Sequence, residues 1–182
     1  MTAHAFTSTT PVPIGRFGPP RAAPVITTDR LRLDGLTRDD WPAYHDLMTG
    51  PRAKHMGGPL DLPEAWGWFC SDHAGWSLGG AGSLAIRHGD DTVGEVSLND
   101  LPYFPEPELG WMVYDGHEGQ GYATEAARAV LDWLAANHRP PTLVSYTDPD
   151  NAASIAVARR LGATLDAGAP TPEDGDLCWR HW

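Results

Sequence analysis

The sequence predicts an α/β fold of the α+β kind, with a mixed, mostly antiparallel sheet of about seven strands and helices on both of its faces. Three observations carry that expectation. Three short strand-like runs follow one another in the middle of the chain, separated by turn residues, as an antiparallel meander requires. A strand, a helix, a strand and a helix then alternate, which is the order of a parallel crossover packed right-handedly. Joining the two halves is a glycine-bearing loop, Glu118-Gly119-Gln120-Gly121-Tyr122-Ala123-Thr124, which comes straight after a strand and opens a long amphipathic helix.

Residues 1–24 are rich in Thr, Pro, Ala and Gly and supply no packed face, so they read as a flexible or loosely docked arm. Residues 25–182 read as a single domain. The run from Val25 to Leu33 ends in apolar/charged alternation and gives the first strand. Thr37 then stands as an N-cap before Trp41, Tyr44, Leu47 and Met48 at helical spacing. After Gly57-Gly58-Pro59, Asp61 caps a second helix whose aromatics, Trp66, Trp68 and Phe69, are expected mostly in the core. Two strands, Ser83 to His88 and Thr92 to Leu98, form a hairpin through Gly89-Asp90-Asp91, and a third runs from Glu108 to Tyr114. The helix after the glycine loop buries Ala123, Ala127, Val130, Leu131 and Leu134 and ends near Asn137. Thr142 to Tyr146 reads as a buried strand, and Asn151 starts a helix that stops at Gly162. Two short strands, Ala163 to Leu165 and Leu177 to Trp182, close the chain. Trp179 and Trp182 either pair across a homodimer or fold onto their own sheet.

Composition narrows the function. The formal net charge of the 182 residues is -11 and Lys54 is the single lysine, which disfavours a nucleic-acid surface built on many phosphate contacts. The acidity suits either a cationic partner or solubility alone. Two cysteines make no disulfide framework, and no apolar run approaches the roughly 18 residues of a membrane span, so a cytoplasmic protein with no membrane partner is expected. Cys70 and His73 have C-x-x-H spacing, but no second pair completes a zinc site, so no metal is expected.

The glycine loop is an anion cradle: glycines let the backbone approach a phosphate, and the free N–H groups of the first helical turn point at it with the positive end of the dipole behind them. Three ligands compete. A Walker loop needs Lys-Ser or Lys-Thr where Tyr122-Ala123 stand. A dinucleotide fingerprint needs Gly or Ala where Thr124 stands, and Gly80-Ala81-Gly82-Ser83-Leu84-Ala85, which has that spelling, precedes a strand. The third is coenzyme A. A meander, a G-x-G loop opening a helix, a strand, and an Asn-led helix closing on Leu-Gly together resemble the GNAT superfamily of acyl-CoA-dependent N-acyltransferases. The phrases Ile26-Thr27-Thr28-Asp29-Arg30-Leu31-Arg32-Leu33, Pro107-Glu108-Leu109-Gly110-Trp111, Gly121-Tyr122-Ala123-Thr124-Glu125-Ala126 and Asn151-Ala152-Ala153-Ser154-Ile155 resemble the branch of ribosomal-protein N-terminal acetyltransferases (RimJ/RimL-like).

The resemblance implies a GNAT fold whose fourth and fifth strands run parallel and splay at the cofactor site. It implies acetyl-CoA as co-substrate and direct transfer of the acetyl group to a primary amine, on a protein N-terminus or a small molecule; the alternative is a non-catalytic acyl-CoA-binding or regulatory module on the same fold. The pantetheine would pair with Trp111, Met112 and Val113, and the pyrophosphate would lie on Glu118, Gly119, Gln120, Gly121, Tyr122, Ala123 and Thr124. The family's loop begins with Arg or Gln, so Glu118 is a departure and is expected to face solvent, where its carboxylate costs the least affinity. Asn151 matches a polar residue near the pantetheine or is a plain N-cap. The superfamily's thiolate-protonating tyrosine is replaced by Ala158, which leaves Ser154 as the nearest hydroxyl. Glu108 matches the carboxylate beside the acceptor amine, as base or anchor, with Glu95 or Glu106 as alternatives. A backbone N–H near Met112 or Val113 would hold the oxyanion. Tyr146 lines the acceptor pocket or fills core, and Trp66, Trp68, Phe69 and Trp76, with the segment His55 to Leu60, wall the acceptor side.

Overall fold

The structure, a computed structural model, describes residues 16–182. Its centre is one eight-stranded sheet in the order β1-β2-β3-β4-β5-β6-β8-β7. The strands are β1 (Ile26–Thr27), β2 (Arg32–Gly35), β3 (Ser83–His88), β4 (Asp91–Asn99), β5 (Glu108–Val113), β6 (Val144–Thr147), β7 (Thr164–Leu165) and β8 (Leu177–Arg180). Every neighbouring pair is antiparallel except β5 with β6, which is parallel. The extra strand arises at the first run, which is two strands rather than one. Thr28 breaks it: its hydroxyl accepts from the Leu31 N–H at 2.9 Å and its own N–H donates to the Leu31 carbonyl, closing a turn at Thr28-Asp29-Arg30.

Four α-helices surround the sheet: α1 (Trp41–Met48), α2 (Leu62–Gly79), α3 (Tyr122–Asn137) and α4 (Ala152–Leu161). Their starts follow the cap chemistry. Thr37 and Asp40 form a capping box that opens a 3-10 turn, Arg38–Asp40, ahead of α1. Asp61 accepts from the Glu64 N–H while the Glu64 carboxylate accepts from the Asp61 N–H. A second 3-10 helix, Pro51–His55, links α1 to α2 and has no counterpart in the sequence expectation.

The period of two along the strands divides the core. Leu84, Ile86, Val96, Leu98 and Leu109 pack on one face with Ala126, Val130 and Leu134 of α3 and Val157 and Leu161 of α4. Ala85 and Tyr114 face the other way, against Tyr44 and Leu47 of α1 and Ala65 and Phe69 of α2. Glu95, Ser97 and Asn99 are paired across the ladder with Met112, Gly110 and Glu108, and Glu95 is paired with Ala85, so these polar residues share the α1/α2 side. Trp66 and Trp68, expected mostly in the core, are instead 45% and 46% exposed; α2 buries Ala65, Phe69 and Trp76. Trp66 sets its ring edge-on to Trp41 at 4.9 Å.

Both ends of the described chain fold back on the body. Of the expected arm, residues 1–15 lie outside the described residues, and residues 16–24 are docked: Phe17 is fully buried in the α3-side core, Arg16 pairs with Asp100, and the Arg21 N–H donates to the Trp76 carbonyl at 2.9 Å. One large aromatic in a Pro/Gly-rich stretch is enough to pin it. Trp179 is buried and donates through Nε1 to Thr147 Oγ1 at 3.0 Å; Trp182 donates to the Pro140 carbonyl. The tryptophan tail therefore folds onto its own sheet. Among the described residues no helix is long and apolar enough to cross a membrane.

Candidate functional site

The site grows from a break in the sheet. β4 and β5 pair along six residues each, from Glu108–Asn99 to Val113–Gly94. The parallel pairing of β5 with β6, by contrast, is one pair long, Glu108 with Val144. Beyond that vertex the two strands separate, and the β6-facing edge of Trp111, Met112 and Val113 opens onto a groove of about 1050 Å³. An open strand edge offers N–H and C=O groups to any extended chain that carries amides.

The groove runs from the vertex to the N-terminus of α3. Gly116, Gly119 and Gly121 in the connecting loop have φ of +87°, +74° and +82°, in the left-handed region. Gly121 is the α3 N-cap, with ψ of 5°, so the helix opens on a residue that only glycine adopts without strain. A Cβ at Gly119 would meet nothing within 4 Å, which leaves the loop backbone bare towards the groove. The first intrahelical bond is Glu125 N–H to the Gly121 carbonyl, so the N–H groups of Tyr122, Ala123 and Thr124 have no partner inside α3. All three residues line the groove.

Trp111, Met112, Val113, Glu118, Gly119, Gly121, Asn151 and Ser154 line the same groove; Gln120 does not, its carbonyl being taken by Arg30 at 3.2 Å and its side chain by Tyr122. Glu118 is exposed. Its carboxylate is met by Arg52 at 2.8 Å and accepts from the Gly116 N–H, so the charge beside the cradle is partly compensated. Cations gather here in an otherwise acidic chain: Arg52, Lys54, Arg128 and Arg160 all line the groove. Asn151 caps α4 by accepting from the Ser154 N–H at 3.1 Å, and both residues face the groove, so capping and lining are combined. Ala158 is fully buried in α4.

Glu108 sits at the vertex but is not part of the groove lining. It is 9% exposed; Oε2 accepts from Asn99 Nδ2 at 2.6 Å and Oε1 from the Tyr146 N–H at 3.4 Å. Burial pushes its carboxyl up to about 7, against the opposing pull of those hydrogen bonds. Of the two alternatives, Glu106 is engaged by Arg180, with oxygens at 2.8 and 2.9 Å, which holds its carboxyl below the usual range. Glu95 is 1% exposed; Tyr114 donates to its Oε1, while Oε2 has no hydrogen-bond partner. Burial and the neighbouring Asp72 hold Glu95 far towards the neutral acid. Asp72, which accepts from Tyr44 at 3.3 Å, is pushed up to about 7, again chiefly by burial. The α1/α2 side of the vertex thus carries a cluster of buried carboxyls whose proton affinity is raised, and only Glu108 of this group was marked by a motif. Tyr146 has its hydroxyl buried without a hydrogen-bond partner, sets its ring edge-on to Phe104, and is not among the residues that line the groove.

A further pair was not singled out as chemistry in the sequence. His55, at the end of the 3-10 helix, sets Nδ1 2.8 Å from Asp148 Oδ2 on the turn between β6 and α4, and His55 lines the groove. The two residues lie 93 positions apart, and no spacing pattern links them. Among the described residues no group of three or more His, Cys, Asp or Glu side chains is placed to hold a metal.

These carboxyls make a stability prediction with a fixed sign. Carboxyls of an unfolded chain ionise near pH 4. Burial holds the Glu95 carboxyl well above that in the fold, so as pH rises past the unfolded value the native state keeps a proton the unfolded state has lost, and stability contributed by this group falls until the native carboxyl ionises too. His181, pushed down to about 4 by burial, acts in the opposite sense, so the comparison must be with a variant. Glu95→Gln is expected to gain stability relative to the wild type as pH goes from 5 to 8, read from urea midpoints; a difference that shrinks with pH would contradict the protonated state.

The comparisons agree with this geometry. The model of the acetyltransferase (GNAT) domain matches residues 30–164. The Bacillus subtilis protein YkkB is 44% identical over 149 residues, 75% of this chain and 83% of that protein. The crystal structure of an acetyltransferase from Agrobacterium tumefaciens superposes with a TM-score of 0.84 at 48% identity, covering 89% of this chain and 96% of that one. RimL, a ribosomal L7/L12 α-N-protein acetyltransferase solved in complex with coenzyme A, shares the fold at a TM-score of 0.65 and 21% identity, covering 86% of this chain and 96% of that one. With a splayed parallel pair, a glycine cradle and a family match spanning both, the chain belongs to the GNAT family of acetyltransferases.

Proposed function

We propose that the groove takes acetyl-CoA and that the chain transfers its acetyl group directly to a primary amine, on a protein N-terminus or a small molecule, within a ternary complex. The observation that carries the reading is the continuity of three parts: the α3 N-terminal cradle, the open edge of β5, and the buried carboxylate at the vertex where β5 and β6 part. The cradle N–H groups of Tyr122, Ala123 and Thr124 suit a pyrophosphate, and Arg128 and Arg160 on the far wall suit further phosphate charge. The edge of Trp111 to Val113 suits the two amides of a pantetheine, and a donor near Met112 suits the oxyanion that forms as the amine adds to the thioester. Glu108 meets the acceptor nitrogen, and Ser154 is the hydroxyl nearest the leaving thiolate. RimL, which has this fold, acts on a ribosomal protein N-terminus and binds coenzyme A, which supports the cofactor and leaves the amine class open between peptide and small molecule. Glu108, whose carboxyl burial holds near 7, suits an acceptor amine that exchanges a proton close to neutrality.

The test is thiol release from acetyl-CoA across a panel of polyamines, arylalkylamines and peptides with free N-termini. Amine-dependent release of coenzyme A is expected. Tight acetyl-CoA binding without release on any of these amines would instead mark a non-catalytic acyl-CoA-binding module, the outcome to which Ala158 in place of a tyrosine points.

A further inference from the structure

His55 lines the groove, and Asp148, its hydrogen-bond partner, lies beside the lining residues Asp150 and Asn151. His55 ends the 3-10 helix that links α1 to α2, on the acceptor side, and Asp148 lies just past the end of β6. Their contact, 2.8 Å between Nδ1 and Oδ2, joins these two elements. Asp148 is itself fixed, because its Oδ1 accepts from the Asp150 N–H at 2.7 Å. The His55 hydrogen bond, first among several, holds the Asp148 carboxyl below its usual range, so the carboxylate is ionised and only accepts. Nδ1 is then the donor, which leaves the lone pair of the neutral ring on Nε2. Nε2 makes no hydrogen bond to any described residue, and the ring, 18% exposed, lines the groove. An imidazole oriented by a carboxylate, on a ring that lines a substrate channel and keeps its second nitrogen unused, is the arrangement that accepts protons from nucleophiles.

Glu108 is placed differently. It lies behind the lining, and both of its oxygens already accept hydrogen bonds from Asn99 and Tyr146. Arg52, the neighbouring side chain on the same 3-10 helix, is engaged by Asp115, Glu118 and the Val113 carbonyl. Of the side chains that reach the groove from the acceptor side, His55 is the one with an oriented, unused acceptor.

We propose that His55 is the proton acceptor for the incoming amine and that Asp148 is its positioning residue. This rests on the acetyl-transfer reading above. The acceptor enters as an ammonium ion and gives one proton to Nε2; the neutral nitrogen forms a bond to the thioester carbonyl carbon, the C–S bond breaks, and the departing sulfur leaves as the thiol with the second proton from that nitrogen. The products are the amide, coenzyme A and a protonated His55 that returns its proton to solvent. In this scheme Glu108 acts from behind the lining, through its charge at the vertex, and does not itself take the proton.

The experiment uses the full chain with whichever of spermidine, 2-phenylethylamine and a tripeptide with a free N-terminus the wild type acetylates fastest. His55→Ala is expected to lower kcat/KM for the amine by roughly 100-fold or more, the range of a lost general base. Acetyl-CoA affinity by calorimetry should change by less than about threefold, a shift below about 0.7 kcal/mol. Added imidazole should restore turnover in His55→Ala, and more basic methylimidazoles should restore more. Asp148→Asn should lower kcat with acetyl-CoA affinity kept, and Asp148→Glu should recover part of the loss. The assignment is overturned by a loss under about tenfold in His55→Ala, by a loss that no azole rescues, or by a loss confined to acetyl-CoA affinity, which would make the pair a strap across the groove. A wild type that binds acetyl-CoA and acetylates none of the amines overturns the acetyl-transfer reading itself, and this assignment with it.

Discussion

Gly121→Val is expected to weaken acetyl-CoA binding by about 100-fold or more, measured by calorimetry. Gly121 has φ of +82° and ψ of 5°, and a β-branched residue in the left-handed region costs about 1–2 kcal/mol before any contact is considered. The protein can relieve that strain only by turning the cap, which swings the N–H groups of Tyr122, Ala123 and Thr124 out of line with whatever they hold. The added side chain also sits at the rim of the cradle, near Arg30, whose Nη2 is 3.7 Å from the position of a Cβ. Strain and lost alignment thus add in the same direction. Gly89→Ala is the control: φ is +61° in the β3–β4 turn, a Cβ there meets nothing within 4 Å, and the turn lies outside the groove. It carries similar backbone strain and should leave acetyl-CoA affinity unchanged. If both variants bind alike, the cradle is not where the cofactor's phosphates rest.

Glu108→Gln should separate chemistry from cofactor binding. Glutamine keeps the shape, and its carbonyl can still accept from Asn99 or from the Tyr146 N–H, so the vertex stays assembled. What is lost is a negative charge at the place where an amine would meet the end of the groove. Turnover of the amine, as kcat/KM, is expected to fall by about 100-fold, with acetyl-CoA affinity within about threefold of the wild type. Because burial pushes the Glu108 carboxyl up to about 7, the wild-type rate should fall as pH drops through that value, and the glutamine variant should lose the part of that fall that Glu108 contributes. Equal activity of the two proteins would remove Glu108 from the site.

Much of the fold was legible because its signals are local. The caps at Thr37, Asp61 and Asn151 each use a side chain within three residues of the N–H or partner they engage. The left-handed stop at Gly162 and the G-x-G entry to α3 are likewise written in single residues. Alternation assigned the strands of the meander to within a residue or two. Where the reading slipped, the deciding interaction was either subtle or distant. Thr28 ends β1 through a hydroxyl-to-backbone bond that a run rich in β-formers conceals. Trp66 and Trp68 are apolar, but they fall on the side of α2 away from the sheet, and composition does not say which side that is. Phe17 and Trp179 are buried because the sheet and α3 offer them a place, which a Pro/Gly-rich arm and a two-tryptophan tail give no sign of.

The glycine cradle, the open strand edge and Glu108 were readable as a site because they lie within about fifteen residues of one another and obey spacing rules that backbone geometry imposes. Their chemistry was not. Whether Glu108 is a surface residue or a buried acid, and whether Glu95 keeps a proton beside Asp72, depends on how much water three separate elements exclude. The meeting of His55 with Asp148 depends on a 3-10 helix and a β6–α4 turn brought together by the rest of the chain. Sequence by itself determined the order of elements, the caps and the phosphate loop, since each follows from neighbours along the backbone. Tertiary structure alone decided burial, proton affinity and which bank of the groove each side chain faces, since those are properties of the space between elements that the chain makes only when it closes.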